Sequence, residues 1–201
     1  MDVSGKGFIY ANAHSLIDNP NNLIEVFNSK GRSLSSFGSP INFKNYSDPL
    51  SAANYLNEVK ISISPREKVV VAWHNYDFLR IYSKQGELLN EAQIKHKYAN
   101  EKSKENKKSK MKDGRVIFFT IVSNIATTEN YIYVLISYPR IEVLKFNYDL
   151  LLENVYYFNP PERSLWGDLQ IIEKKERSMF YILQWFPENK IHVFSGENFS
   201  E

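Results

Sequence analysis

Leu23-Ile-Glu-Val-Phe-Asn-Ser-Lys-Gly-Arg-Ser-Leu34 contains the unit from which the chain is built. An alternating apolar strand ends in an aromatic, a polar turn carries Gly31, and a second strand begins. Period-two alternation marks a strand with one buried face, and Gly supplies the positive φ that a tight hairpin turn needs. The unit recurs as Phe78-Leu-Arg-Ile-Tyr-Ser-Lys-Gln-Gly-Glu-Leu-Leu89 and as Ile141-Glu-Val-Leu-Lys-Phe-Asn-Tyr-Asp-Leu-Leu-Leu152. A fourth copy, Lys190-Ile-His-Val-Phe-Ser-Gly-Glu-Asn198, breaks off where its second strand should begin. Gly86 serves the second turn, while the third has Asn147-Tyr-Asp149, where Asn and Asp tolerate left-handed geometry. The terminal aromatics Phe27, Tyr82, Phe146 and Phe194 are spaced by 55, 64 and 48 residues.

Each unit is preceded by another strand, at Phe8–Asn12, Val69–Trp73, Tyr131–Ile136 and Phe180–Trp185. Earlier strands precede the second, third and fourth units at Tyr55–Ile63, Val116–Ile125 and Asp168–Glu173, but none precedes the first. Four antiparallel strands per repeat of about 40–50 residues is the pattern of a β-propeller blade. The expected fold is therefore all-β and propeller-like, with about four antiparallel blades. The first lacks an innermost strand and the last an outermost one. Residues 1–201 read as a single domain with a Lys-rich inserted loop at 95–112, where eight Lys and two Glu leave a formal charge of +6. Incomplete blades leave two solutions: a four-bladed disc closed by its own N-terminal strand, or part of a larger ring whose open edges pair copies into a homo-oligomer.

Composition narrows the classes. With no Cys among 201 residues, disulfide scaffolds and zinc–thiolate sites are excluded. The 13 Tyr and 13 Phe, beside many Val, Ile and Thr, favour strands. No apolar run is long enough to span a membrane as a helix. No basic stretch followed by an apolar run opens the chain, so no secretory signal is expected. The net charge of +2 offers no general attraction for nucleic acid. The Lys-rich segment has only Tyr98 interleaved, and the rest of the chain carries about −4, so no nucleic-acid partner is expected.

Val26-Phe-Asn-Ser-Lys-Gly-Arg-Ser-Leu-Ser-Ser-Phe-Gly38 resembles an NHL-type blade ending. Lys60–Ser64, Glu67–Ala72, Leu79–Gly86, Asn130–Leu135 and Ile191–Phe194 resemble the TolB-like six-bladed propeller proteins common in Bacteroidetes. The resemblance spans most of the chain and implies a fold shared by binders, scaffolds and a few enzymes, in a cell-envelope or extracytoplasmic setting. The chain is too short for six blades.

Candidate site residues come from the loops that follow the second strand of each blade. His14 and His74 occupy equivalent loops near the mouth of any central channel. Some NHL-like lyases bind metal through such His, but no third His or acid stands at matching spacing here, so no metal or other cofactor is expected. Trp73, Trp166 and Trp185, with Tyr76, Tyr138 and Phe186, either line a ligand face or fill the space between blades, and packing is the plainer reading. Trp166-Gly-Asp168 opens an inner strand, where Gly permits close approach near the axis. His192 alternates with Ile191 and Val193 and so belongs to a solvated blade face. No phosphate-binding Gly loop, His-Glu-x-x-His, Gly-x-Ser-x-Gly or paired-carboxylate motif occurs.

The expectation is a non-catalytic binding module that presents a loop-lined face to a protein, peptide or glycan. His14, His74, Tyr76, Tyr138, Trp166, Asp168 and Trp185 are its candidate contacts. The alternative is a metal-dependent NHL-like or lactonase-like hydrolase or lyase working in the central channel.

Overall fold

The computed structural model describes residues 1–13, 22–41, 55–108, 118–159, 165–174 and 177–196. Their strands form four antiparallel sheets in chain order, the arrangement of a four-bladed β-propeller. The first sheet is β1 (Asp2–Val3), β2 (Ile9–Asn12), β3 (Ile24–Phe27) and β4 (Ser33–Phe37). The second is β5 (Val59–Ile63), β6 (Val69–Trp73), β7 (Phe78–Tyr82) and β8 (Leu88–Gln93). After the helix α1 (Lys97–Lys108) comes the third: β9 (Asn124–Thr127), β10 (Tyr131–Ile136), β11 (Ile141–Asn147) and β12 (Leu152–Phe158). The fourth sheet has three described strands, β13 (Leu165–Glu173), β14 (Ser178–Phe186) and β15 (Lys190–Gly196). None of the described helices is long and apolar enough to cross a membrane.

One turn design is used five times, at the end of the molecule opposite α1. Ser4, Asn28, Ser64, Ser83 and Asn147 each open a five-residue turn in which the first N–H donates to the fifth carbonyl. The fourth N–H donates back to the first carbonyl. In every case the first side chain also accepts from the fifth backbone N–H, at 3.0–3.2 Å. The fourth residue is left-handed in all five: Gly7 (φ 78°), Gly31 (75°), Glu67 (59°), Gly86 (89°) and Leu150 (62°). This is a three-residue hairpin loop closed by a bulge at its left-handed residue. In three of the five hairpins a further register shift lies just beyond the turn, at Val26/Phe27, Ile81/Tyr82 and Lys145/Phe146. The expectation for the third copy is thereby corrected: Asn147 caps the turn and Leu150 takes the left-handed position. A left-handed Leu costs about 1–2 kcal/mol, offset by burying its side chain in the core, worth about 1.5–3 kcal/mol.

Three apolar layers hold the four sheets together. Tyr10, Ile24 and Val26 of the first pack on Val59, Val71 and Trp73 of the second. Val70, Leu79 and Ile81 of the second meet Ile132, Val134 and Leu144 of the third. Tyr133, Leu135 and Val143 of the third meet Trp166, Phe180 and Ile182 of the fourth. β6 is buried at every residue and β10 at all but its first, so these strands are apolar on both faces. Among the described residues no apolar cluster joins the fourth sheet to the first.

Two further sequence expectations change. The first blade does have an innermost strand, the two-residue β1, paired through Asp2↔Tyr10 and Val3↔Ile9. A carboxylate also anchors it, since the Ile63 N–H donates to Asp2 Oδ2 at 2.6 Å. Lys97–Lys108 forms a helix rather than a solvated loop. Its buried side is Ala99, Ser103 and Asn106, spaced four and three residues apart on one helix face. That face carries one apolar residue, so hydrophobic periodicity does not reveal it.

The layer geometry predicts a contrast. Leu135→Ala, between the third and fourth sheets, lowers unfolding free energy by about 2–5 kcal/mol in urea titration. Val193→Ala, on the uncovered side of the fourth sheet, changes it by less than about 0.5 kcal/mol.

Candidate functional site

The β2–β3, β6–β7, β10–β11 and β14–β15 connections leave their sheets at the end where the chain crosses between blades, because each blade starts and finishes there. That end also carries α1. The sequence candidates divide there into three groups, and His14 lies outside the described residues.

His74 and Tyr76 sit beneath α1. The His74 Nδ1–H donates to the Val122 carbonyl at 2.7 Å, and Nε2 accepts from the Thr120 hydroxyl at 3.2 Å. Burial, assisted by the Lys60 charge, lowers the His74 pKa against the opposing pull of Glu58 and the Val122 carbonyl. The ring is therefore neutral, and both nitrogens are engaged. Tyr76 lies under the Lys107 ammonium, 4.3 Å from the ring centroid. Asn106 fastens the helix over these residues, donating to the carbonyls of Asn75 (2.7 Å) and Phe119 (2.8 Å). Asp77, almost fully buried, accepts from Gln93 and Asn100 at 2.6 Å each through Oδ2. His96 contacts Glu142 Oε2 at 2.6 Å, and the Arg140 guanidinium holds Oε1 of the same carboxylate. These contacts lock the helix to both blades.

Tyr138 forms the second group alone. It is exposed in the β10–β11 loop, with its ring 5.7 Å from that of Tyr98. Burial, then the neighbouring Tyr138 and Glu105, pushes the Tyr98 hydroxyl up to about 12.

Trp166, Asp168 and Trp185 all belong to the fourth sheet, but Trp166 is buried on its covered side and Trp185 is exposed on the other. β13 is irregular between Trp166 and Leu169, which places Gly167 under the Trp185 ring. A Cβ at Gly167 would come within 2.2 Å of Trp185 Cε2, so the close approach read from Gly is to this ring. Trp166 is buried and packs edge-on against His192, at 4.7 Å between centroids. Asp168 is exposed and accepts from Asn124 Nδ2 at 2.6 Å. Beside it lies a cleft of about 370 Å³ lined by Asn124, Asp168, Gln170, Tyr181, Leu183 and Ile191, among others.

The expected polarity of β15 is reversed. His192 faces the third sheet and contacts Gln184 Oε1 at 2.7 Å, whereas Ile191 and Val193 are 68% and 52% exposed. With Trp185 at 55% and Ile172 at 44%, they make the side of the fourth sheet that no described residue covers distinctly apolar. Trp73 and Trp166 fill inter-blade space, as the packing reading expects, and Trp185 and Phe186 remain exposed. Sequence reasoning passed over Ile191 and Val193. The available signal was Phe194, which as an aromatic at a strand end takes the core side and sets the alternation around it. Among the described residues no group of three or more His, Asp or Glu is placed to hold a metal ion.

No family model matches the sequence, and no curated protein matches it significantly. Solved structures with similar folds include BamB from Moraxella catarrhalis, at 13% identity and TM-score 0.47, covering 89% of this chain and 38% of that one. A Bacteroides caccae protein of unknown function gives 12% identity and TM-score 0.46, with 85% and 53% covered. A virginiamycin B lyase from Staphylococcus aureus gives 12% and 0.43, with 96% and 68% covered. The chain thus spans about two fifths to one half of the length of the first two. BamB and the lyase are β-propeller proteins, and the likeness to this chain is one of fold.

Two outcomes follow. Gly167→Ala displaces the half-exposed Trp185 ring, which shows as a red-shifted, more readily quenched tryptophan emission with the fold retained. Because His74 is held neutral, the unfolded chain takes up its proton first as pH falls below 6.5, and stability drops toward the lowered folded value. His74→Gln reduces that loss, read as a smaller difference in urea midpoint between about pH 7 and about pH 5.5.

Proposed function

We propose that the chain is a non-catalytic, NHL/TolB-like propeller module that binds an extended segment of a protein or peptide. The contact surface is the uncovered side of the fourth sheet together with the edge of β15. One observation carries this reading: Ile172, Trp185, Ile191 and Val193 are exposed on one sheet face, beside the polar cleft at Asp168 and Gln170. Among the described residues nothing pairs the outer edge of β15, so its N–H and C=O groups are available to a fourth strand. An extended peptide supplies that strand, and its alternate side chains meet Val193 and Ile191. A glycan satisfies the polar cleft but leaves this backbone edge unused, which favours a peptide.

The metal-dependent hydrolase or lyase alternative has no observation in its favour, since both ring nitrogens of His74 are engaged within the fold. A second copy of the chain is one protein able to cover the same surface.

Selection of displayed random peptides on the full chain tests the proposal. It predicts enriched peptides with alternating apolar residues whose affinity falls at least tenfold with Val193→Asp and with Trp185→Ala. No enrichment, or peptides indifferent to both substitutions, overturns it. Binding of oligosaccharides alone, at the Asp168 cleft, transfers the function to the glycan reading. A mass of two chains by light scattering that reverts to one in Val193→Asp assigns the surface to a second copy.

A further inference from the structure

A second cleft, of about 360 Å³, lies at the opposite end of the molecule, between the first and second blades. Tyr10 and Val26 form its buried wall, and Phe8 and Leu34 remain exposed at its sides, Leu34 by 51%. Its rim is charged. Lys6 comes from the β1–β2 turn, Glu67 from β5–β6 and Lys84 from β7–β8.

Glu67 occupies the left-handed position that Gly7, Gly31 and Gly86 fill in three of the sister turns. A backbone strain of this kind at a non-Gly residue invites a reason in the side chain. Its carboxylate contacts Lys6 Nζ at 3.0 Å through one oxygen and Lys84 Nζ at 2.9 Å through the other. It therefore holds two ammonium groups from different blades side by side. Each ammonium has three donors and gives one to Glu67, so two on each are left for another acceptor. Three charges at the rim sum to +1. The hydrogen bond from Lys84, then that from Lys6, holds the Glu67 carboxyl below its usual range, so the rim stays ionised at neutral pH.

We propose that this cleft binds a small amphipathic anion, a monocarboxylate with an unbranched apolar tail. The tail lies against Phe8, Tyr10, Val26 and Leu34, and the carboxylate accepts from Lys6 and Lys84. The net positive rim disfavours a cationic head, and the apolar walls disfavour a short hydrophilic anion. Glu67 sets the spacing of the two ammonium groups before the ligand arrives, which reduces the ordering cost of binding. The site is remote from Trp185 and owes nothing to the peptide-binding reading.

Calorimetric titration of the full chain with decanoate tests the assignment, with acetate and decyltrimethylammonium as comparison probes. The proposal predicts saturable one-to-one binding of decanoate and none of acetate. It predicts at least tenfold weaker binding in Lys84→Met and in Leu34→Asp, each confirmed as folded by circular dichroism, and unchanged binding in Trp185→Ala. Absence of saturable decanoate binding overturns it. So does decyltrimethylammonium binding as tightly as decanoate, or decanoate affinity unmoved by both cleft substitutions. Loss of binding in Trp185→Ala alone also overturns it, since that places the anion on the fourth sheet.

Discussion

Everything in this protein depends on the packing of one apolar sheet face against the next. A twisted antiparallel sheet with apolar residues on both sides is dry only when sandwiched, and β6 and β10 sit in such sandwiches. Four sheets in series make three layers, and the described residues show three. Among the described residues the end sheets therefore have one covered side each. The first sheet's outer side mixes the charged Glu25 with a partly exposed Phe27 and a half-exposed Val3. The fourth is more apolar, because Ile172, Trp185, Ile191 and Val193 all face outward. The most distinctive surface of the molecule is thus a consequence of how many blades there are.

The helix between the second and third blades follows a different logic. Its outward side is rich in Lys, and its inward side is held by side-chain amides rather than by apolar contact. Asn100 donates to one oxygen of the buried Asp77 carboxylate, and Asn100 and Asn106 together donate to three loop carbonyls, so the long connection is fixed without a hydrophobic stripe. The neutral His74 and the Lys107–Tyr76 stack lie under this cover, which removes them from the exposed ligand surface.

The architecture was legible in the sequence because its two strongest signals are local. Val69–Trp73 and Tyr131–Ile136 are unbroken apolar runs, the mark of strands buried on both faces, and Gly31 and Gly86 mark the turns correctly. Features set by distant contacts were not legible. Leu150 takes a left-handed turn position because the core rewards its side chain. Asp2–Val3 is too short for any periodicity and forms because Asp2 reaches β5. Of the candidate contacts on the fourth sheet, Trp166 is taken up by the layer against the third sheet, while the irregularity at Gly167 brings the exposed Trp185 over β13, a register effect that composition does not encode.

Amide hydrogen exchange, resolved strand by strand, tests the three-layer account most directly. β14 is hydrogen-bonded on both edges, as β6 and β10 are, so differences among the three report on sheet-to-sheet packing. With one covered side, β14 is predicted to exchange at least tenfold faster than β6 and β10. Equal protection of all three strands in the monomeric chain would contradict the account, because it requires a fourth apolar layer over the outer side of the last sheet.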